Sequence, residues 1–396
     1  MPTFYNFTEN NIVRSFDDVF VPADAFRDGN LWGWGDNINV QIGVNSTAAT
    51  LSTPVTTLAG GANWKQVSCG RNHTAAIKTD GTLWVWGNNG VVQLGINNTN
   101  RRSTPVTTFS GGTNWKQVSC GGYHTAAIKT DGTLWLWGQN TNFQIGNTTN
   151  ANCSTPVTTF SGGTNWKQVS CGQLHTASIK SDGTLWLWGR NAESQSGNNS
   201  FLALSTPVTT FAGGTNWAQV KSGINHTAAI KTDGTLWTWG YNGRCQLGTN
   251  ATTSASTPVT TFAGGNNWKQ VSAGYNHTAA VKTDGTLWIW GNNAQVQLGI
   301  NSNITTVSTP VTTFAGGTNW KQVSCQLGTL SQFTAAVKTD GTLWTWGYAG
   351  VNKLGINSNT GNRSTPVTTF AGGTNWKQVE CGYGFAFACT YIDSVI

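Results

Sequence analysis

A self-similar unit of about 51 residues, present seven times, leaves this chain few folds to choose from. The Pro of the string STPVTT recurs at Pro54, Pro105, Pro156, Pro207, Pro258, Pro310 and Pro366. The Asp that opens DGTLWxWG recurs at Asp28, Asp80, Asp131, Asp182, Asp233, Asp284 and Asp340, the first copy reading DGNLWGWG. A fixed period overrides the two or three domains that 396 residues would otherwise suggest.

Each period holds four short runs of strand character, TPVTTF, NWKQV, HTAAIK and LWxW, rich in Val, Thr, Ile, Phe and Trp. Asp-Gly between the third and fourth runs is a hairpin signal, because a type I′ turn needs positive φ. Gly-Gly between the first and second marks another turn. No stretch long enough for a helix escapes Gly, Pro or a Thr/Asn cluster. The pattern predicts an all-β fold, a seven-bladed β-propeller of four-stranded blades. In such a ring both faces of each sheet are covered, which explains why LWVW is apolar on both sides. Leu83 and Val85 face one neighbour, Trp84 and Trp86 the other.

The ends predict closure. The N-terminal unit begins with only its last strand, Leu31 to Gly35, while the final unit supplies Thr365 to Val367, Trp376 to Val379 and Phe385 to Thr390. Three C-terminal strands and one N-terminal strand are thus expected to complete the seventh blade, removing the exposed edge. The expected organisation is an N-terminal arm over 1–26, one propeller over 27–392 and a C-terminal tail over 393–396.

Composition narrows the class further. All 21 Trp fall in Leu-Trp-x-Trp-Gly strings or Asn-Trp pairs, so they read as framework rather than as a ligand-stacking surface. With 11% aromatic and 9% charged residues the chain is not disordered. No apolar run approaches the roughly 18 residues of a membrane-spanning helix, so no membrane insertion is expected.

The order His226-Thr227, Asp233-Gly234, Trp239-Gly240, Gln246-Leu247-Gly248 recurs in most units. In this order the chain resembles the regulator of chromosome condensation repeat family, over residues 28 to about 390. The resemblance implies a seven-bladed propeller. It departs at the first Gly of Gly-Gln-Leu-Gly, replaced by Val40, Val92, Phe143, Ser194, Cys245, Val296 and Asn352, which suggests a loop with its own geometry. Nuclear members of the family are exchange factors for a small GTPase and bind chromatin. No counterpart of a wedge-like insertion or basic N-terminal tail is visible here, so that activity is not carried over. Other members are purely binding proteins, including a secreted inhibitor of β-lactamases.

Comparison among the seven units locates the diversity. TTFAGGTN and KTDGT hardly change, whereas the pair before each His slot and the long link after each Trp-Gly do. Up-and-down strands put the two constant connections on one side of the ring and the two changing ones on the other. The changing side, here the variable face, is the expected partner-binding surface, with rigid strands positioning its loops. Its candidate contacts are Arg71, Tyr123, Phe143, Leu174, Arg190, Phe201, Arg244, Tyr275, Leu327, Leu330 and Lys353. Leu327 and Leu330 sit on a longer sixth-blade loop, either exposed or folded back over the blade. The face is mildly basic and suits an acidic protein, a phosphate or an anionic glycan. Nucleic acid is disfavoured because Lys and Arg are not densely clustered.

Nothing in the sequence points to an enzyme, a metal or a cofactor. All five His (73, 124, 175, 226, 277) share one slot that Phe333 and Phe385 fill elsewhere, which argues for packing. Cys69, Cys120, Cys171, Cys325 and Cys381 share a slot for a small side chain, and equivalent positions of separate blades are expected to be too far apart for disulfides. Free thiols fit a reducing cytoplasm. The arm lacks the pattern of a signal peptide. Its Phe4, Tyr5, Phe7, Phe16 and Phe20 either fold over the ring or dock into a larger assembly. Two functions remain: a surface or particle-borne recognition module, such as an accessory virion or tail protein of a bacteriophage that touches a protein or surface glycan, or a soluble intracellular regulator or inhibitor of one protein.

Overall fold

The computed structural model describes residues 12–14, 20–22 and 27–392, apart from 47, 59–60 and 329–331. Seven four-stranded antiparallel sheets stand around one axis. A representative blade runs Trp64–Cys69, His73–Lys78, Leu83–Gly87 and Arg102–Thr107, from the axis outward. Ile12–Arg14 and Phe20–Pro22 pair as a separate two-stranded ribbon.

The blade begins at a different strand from the one the repeat suggested. STPVT is the outermost strand of its blade, and the Gly-Gly link carries the chain to the innermost strand of the next. The long link after Trp-Gly joins the third and fourth strands within a blade. Alternation of direction is unchanged, so the two faces keep the connections assigned to them. Closure occurs by pairing the N-terminal strand with the C-terminal blade, but two strands come from each end. Trp376–Cys381 and Phe385–Ile392 pair with Arg27–Asp36 and Thr50–Thr56 in one sheet. Arg363–Thr368 belongs to the blade before.

Closure keeps side-chain volume while exchanging its source. Elsewhere the third strand supplies the larger residue of the pair opposite Ala, as in Val85 opposite Ala75. In the closing blade Gly33 lies opposite Phe387, and a Cβ on Gly33 would stand 2.6 Å from that ring. A close-packed core tolerates such a swap because total volume is kept.

Neighbouring blades are stitched by polar side chains as well as by apolar contact. Gln66 donates to the Val118 carbonyl at 3.1 Å and accepts from its N–H at 3.0 Å, and Gln117 does the same with Val169. His73 Nε2 lies 2.9 Å from Thr125 Oγ1, whose hydroxyl donates to the Gln93 carbonyl. Because that hydroxyl is already a donor, the His must be the Nε2–H tautomer. All five His repeat the arrangement with their Nδ1 unpartnered, and all are buried. Burial disfavours the imidazolium and holds His73, His124, His175 and His226 at a pKa of about 3 and His277 at about 4.

Trp side chains fill the space between blades. Trp64 packs edge-on against Trp84 and Trp86, with ring centroids 6.4 and 6.3 Å apart. Lys78 Nζ lies 4.9 and 4.7 Å from the ring centroids of Trp64 and Trp84, a cation–π arrangement that recurs in five further blades.

Candidate functional site

The loops between first and second strands all end at the axis, on the variable face. Their first residue past the Gly is Arg71, Gly122, Gln173, Ile224, Tyr275 or Tyr383 in six of the blades. There they meet. The Arg71 guanidinium lies 5.1 Å from the Tyr123 ring centroid and 5.2 Å from that of Tyr383, one ring from each neighbouring blade. Arg71 also donates to the Tyr123 hydroxyl. Burial, with the neighbouring Tyr123 and Tyr275, raises the Tyr383 phenol well above its usual value, against the pull of Arg71. The Tyr383 hydroxyl is buried and without a hydrogen-bond partner, while Gln326 donates to the Tyr383 backbone carbonyl.

Beneath this cluster the inner strands line the axis. A cavity of about 40 Å³ is lined by Ser68, Cys69, Lys221, Cys325, Leu327 and Glu380 among others. The shared Cys slot therefore lies beside the axis, and all eight Cys are free. Each Ser Oγ accepts the backbone N–H of the residue in that slot on the next blade, as Ser68 does from Cys120 at 2.9 Å. Lys221 and Glu380 replace two of the Ser, and they pair with each other at 3.9 Å. Replacing two hydroxyls by opposite charges keeps the channel neutral.

The outer part of the variable face is held on a common frame. Buried Asn89 donates to the carbonyls of Asn98 and Asn100 and accepts from the Leu94 N–H. Asn242 and Asn293 repeat the scheme, while Asn140 and Asn191 give one carbonyl bond and one to the side chain of Asn147 or Asn198. The position where the family motif has Gly keeps one conformation in all seven units. Val40, Val92, Phe143, Ser194, Cys245, Val296 and Asn352 all take φ between 53° and 63°, the left-handed conformation Gly would favour. Sequence changes along these links while the left-handed conformation at this position is kept.

The expected contact residues separate into groups. Arg71, Tyr123 and Tyr275 gather at the axis, and half-buried Leu174 lies on an axial loop of another blade. Phe201 and Arg244 are exposed on the outer links, and Phe143 and Arg190 are half-buried there. Two expectations need correction. Leu327, expected to be either exposed or folded back, is 8% exposed and lines the axial cavity, so it is not a surface contact. Lys353 is buried: Trp34 donates to its carbonyl at 2.8 Å, and burial lowers its ammonium pKa to about 8 despite the charge of Asp36. Leu330, Phe4, Tyr5, Phe7 and Phe16 lie outside the described residues, and of Phe20 only the backbone is described. Tyr383 was missed, although its position two residues after Cys381 matches Arg71 two after Cys69.

On the opposite face a groove of about 470 Å³ is lined by Ala218, Lys231, Asp233, Trp268 and Lys269. It opens where Ala218 occupies the slot that is Lys in the other inner strands. Among the described residues, no group of three or more His, Cys, Asp or Glu could hold a metal ion, and no helix is long and apolar enough to cross a membrane.

Comparison with known proteins agrees with this architecture. The chain is 33% identical over 279 residues to the ultraviolet-B receptor UVR8 of Arabidopsis thaliana, covering 69% of the chain and 62% of that protein. It is 26% identical over 297 residues to RUG3, a mitochondrial RCC1 domain-containing protein of the same plant, covering 72% and 66%. The chain thus spans less than two thirds of the length of either relative. Prp20p of Saccharomyces cerevisiae, whose structure was described with its binding to Gsp1p and histones, shares the fold at a TM-score of 0.81 and 18% identity, over 92% of each chain. The RCC1-like domain model matches residues 25–261 and 94–395. With seven four-stranded blades in place and nearly the whole ring matched, the chain belongs to the RCC1-like domain family.

Proposed function

We propose that the chain is a non-enzymatic, protein-binding regulator whose variable face holds one protein partner at the axis. Arg71 between Tyr123 and Tyr383 carries this reading. Tyr and Arg in a central patch are the residue types that dominate protein-binding energy. An arginine keeps donors beyond the one it gives Tyr123, and beside it the Tyr383 hydroxyl lacks a partner. Together they suit a carboxylate from an acidic segment of the partner.

The family relationship supports the regulator rather than the particle-borne module. One relative is described as a receptor, and Prp20p is described as binding Gsp1p and histones. None of these descriptions favours a virion or a glycan surface. Eight free Cys accord with a reducing compartment.

The test is affinity capture of the partner with wild-type protein, followed by titration against a chain carrying Arg71→Ala and Tyr383→Phe. The expected result is about a 100-fold weaker Kd, the scale of a lost central anchor, with unchanged circular dichroism. Equal affinity of the two chains would contradict the reading.

A further inference from the structure

The face opposite the candidate site presents a ring of large apolar side chains. Phe109, Phe160, Phe211, Phe262, Phe314 and Phe370, with Leu58 in the seventh slot, are 57–71% exposed. The repeat placed this Phe at the end of a strand. Instead each strand ends at a Thr two residues earlier, as at Thr107, and the intervening Thr108 is buried. Each apolar side chain therefore stands at the perimeter, where the outer strand of one blade gives way to the link toward the next. Equivalent residues of a closed ring share one height along its axis, so the seven define a plane around a rim.

The same face is positively charged. Lys65, Lys116, Lys167 and Lys269 are exposed on the inner strands. In the whole framework of this face twelve Lys stand against six hairpin Asp and Asp28, which lies at the start of its strand. Asp80 is typical of those Asp, its carboxylate accepting from the N–H and hydroxyl of Thr82.

Uniformity identifies the occupant. A single protein partner makes a different contact with each blade, as the axial cluster on the other face is placed to do. A laterally uniform surface makes the same contact seven times, and here the seven blades are nearly identical in sequence. A second ring placed face to face would oppose two surfaces of like charge. We propose that this face seats on an anionic lipid bilayer, the Phe ring entering the headgroup boundary while the Lys residues attract acidic headgroups. This proposal is independent of the protein-binding role of the variable face.

Co-sedimentation with phosphatidylcholine vesicles, with and without phosphatidylserine, tests it. Wild-type protein should bind the acidic vesicles at least about tenfold more tightly, and binding should weaken with added salt. Replacing the six ring Phe by Ser should reduce that binding by about tenfold or more, with circular dichroism confirming the fold. A second variant, Lys65→Gln, Lys116→Gln, Lys167→Gln and Lys269→Gln, should lose the preference for acidic vesicles while leaving the Phe ring in place. The proposal is overturned by wild-type binding that ignores phosphatidylserine, by no binding, or by a folded Ser variant that binds like wild type. Ring-dependent self-association in sedimentation velocity would overturn it in favour of a second copy.

Discussion

Acidification to about pH 5 should unfold this protein, and replacing its five His by Phe should largely prevent that. Folded His73, His124, His175 and His226 titrate near 3 and His277 near 4, below the ordinary value of about 6.5 expected of the unfolded chain. Above that value neither state is protonated and no stability is lost. As pH falls through it the unfolded chain takes up protons that the folded chain refuses, so stability declines until the folded values are reached. At about 1.4 kcal/mol per pH unit per group, each His costs about 2 kcal/mol at pH 5, and five cost about 10. That is comparable to the whole stability of a typical protein, about 5–15 kcal/mol. The hairpin Asp residues Asp80, Asp131, Asp182 and Asp284 have pKa values lowered chiefly by hydrogen bonds from Thr, so they act in a separate, more acidic window. Phe333 and Phe385 show that the slot accepts Phe, and a Cβ on Gly382 would stand 2.5 Å from the Phe385 ring. A pH titration followed by Trp fluorescence and circular dichroism is the measurement. Coincident acid transitions of wild-type and five-Phe chains would exclude the imidazoles as the cause.

Replacing Trp34 by Ala should cost as much as replacing Trp86, about 3–5 kcal/mol each. In an open array of repeats a terminal residue packs on one side only and its loss is cheaper. Closure removes that distinction. Trp34 is fully buried, donates to the Lys353 carbonyl at 2.8 Å and packs in the core between its own blade and the one before, with Leu354 and Trp376. Trp86 donates to the Gln41 carbonyl at the same distance and sits in the equivalent core with Ile42 and Trp64. Denaturant unfolding of the two variants measures both costs. A Trp34→Ala cost near zero beside a large Trp86→Ala cost would mean that the ring is open in solution.

The amino-acid pattern revealed the number of blades, the Asp-Gly hairpins and the two faces, because period, turn chemistry and strand alternation are local. It did not reveal the phase of the blade. A repeat of four strands has no intrinsic beginning, and short Gly-Gly links read as hairpins although they cross between sheets. Only hydrogen bonding across the termini showed that Thr50–Thr56 belongs with Trp376–Cys381. Distance from the axis was equally hidden. Arg71, Tyr123 and Tyr383 are separated by 52 and 260 residues, and rotation about the axis alone brings them together. Lys353 reads as a surface residue and Leu327 as either exposed or folded back, because a variable loop does not declare which of its side chains turns inward. The exposed Phe ring was masked by its apolar character, since TPVTTF continues a strand pattern past the point where the backbone leaves the sheet.

Hydrogen–deuterium exchange of the protein bound to its captured partner tests the central claim most directly. Protection is predicted at the axial loops 70–72, 121–123, 274–276 and 382–384, with the Thr-Asp-Gly hairpins and Gly-Gly links exchanging as in the free protein. Protection concentrated in those hairpins and links, with the axial loops unchanged, would contradict the assignment of protein recognition to the variable face.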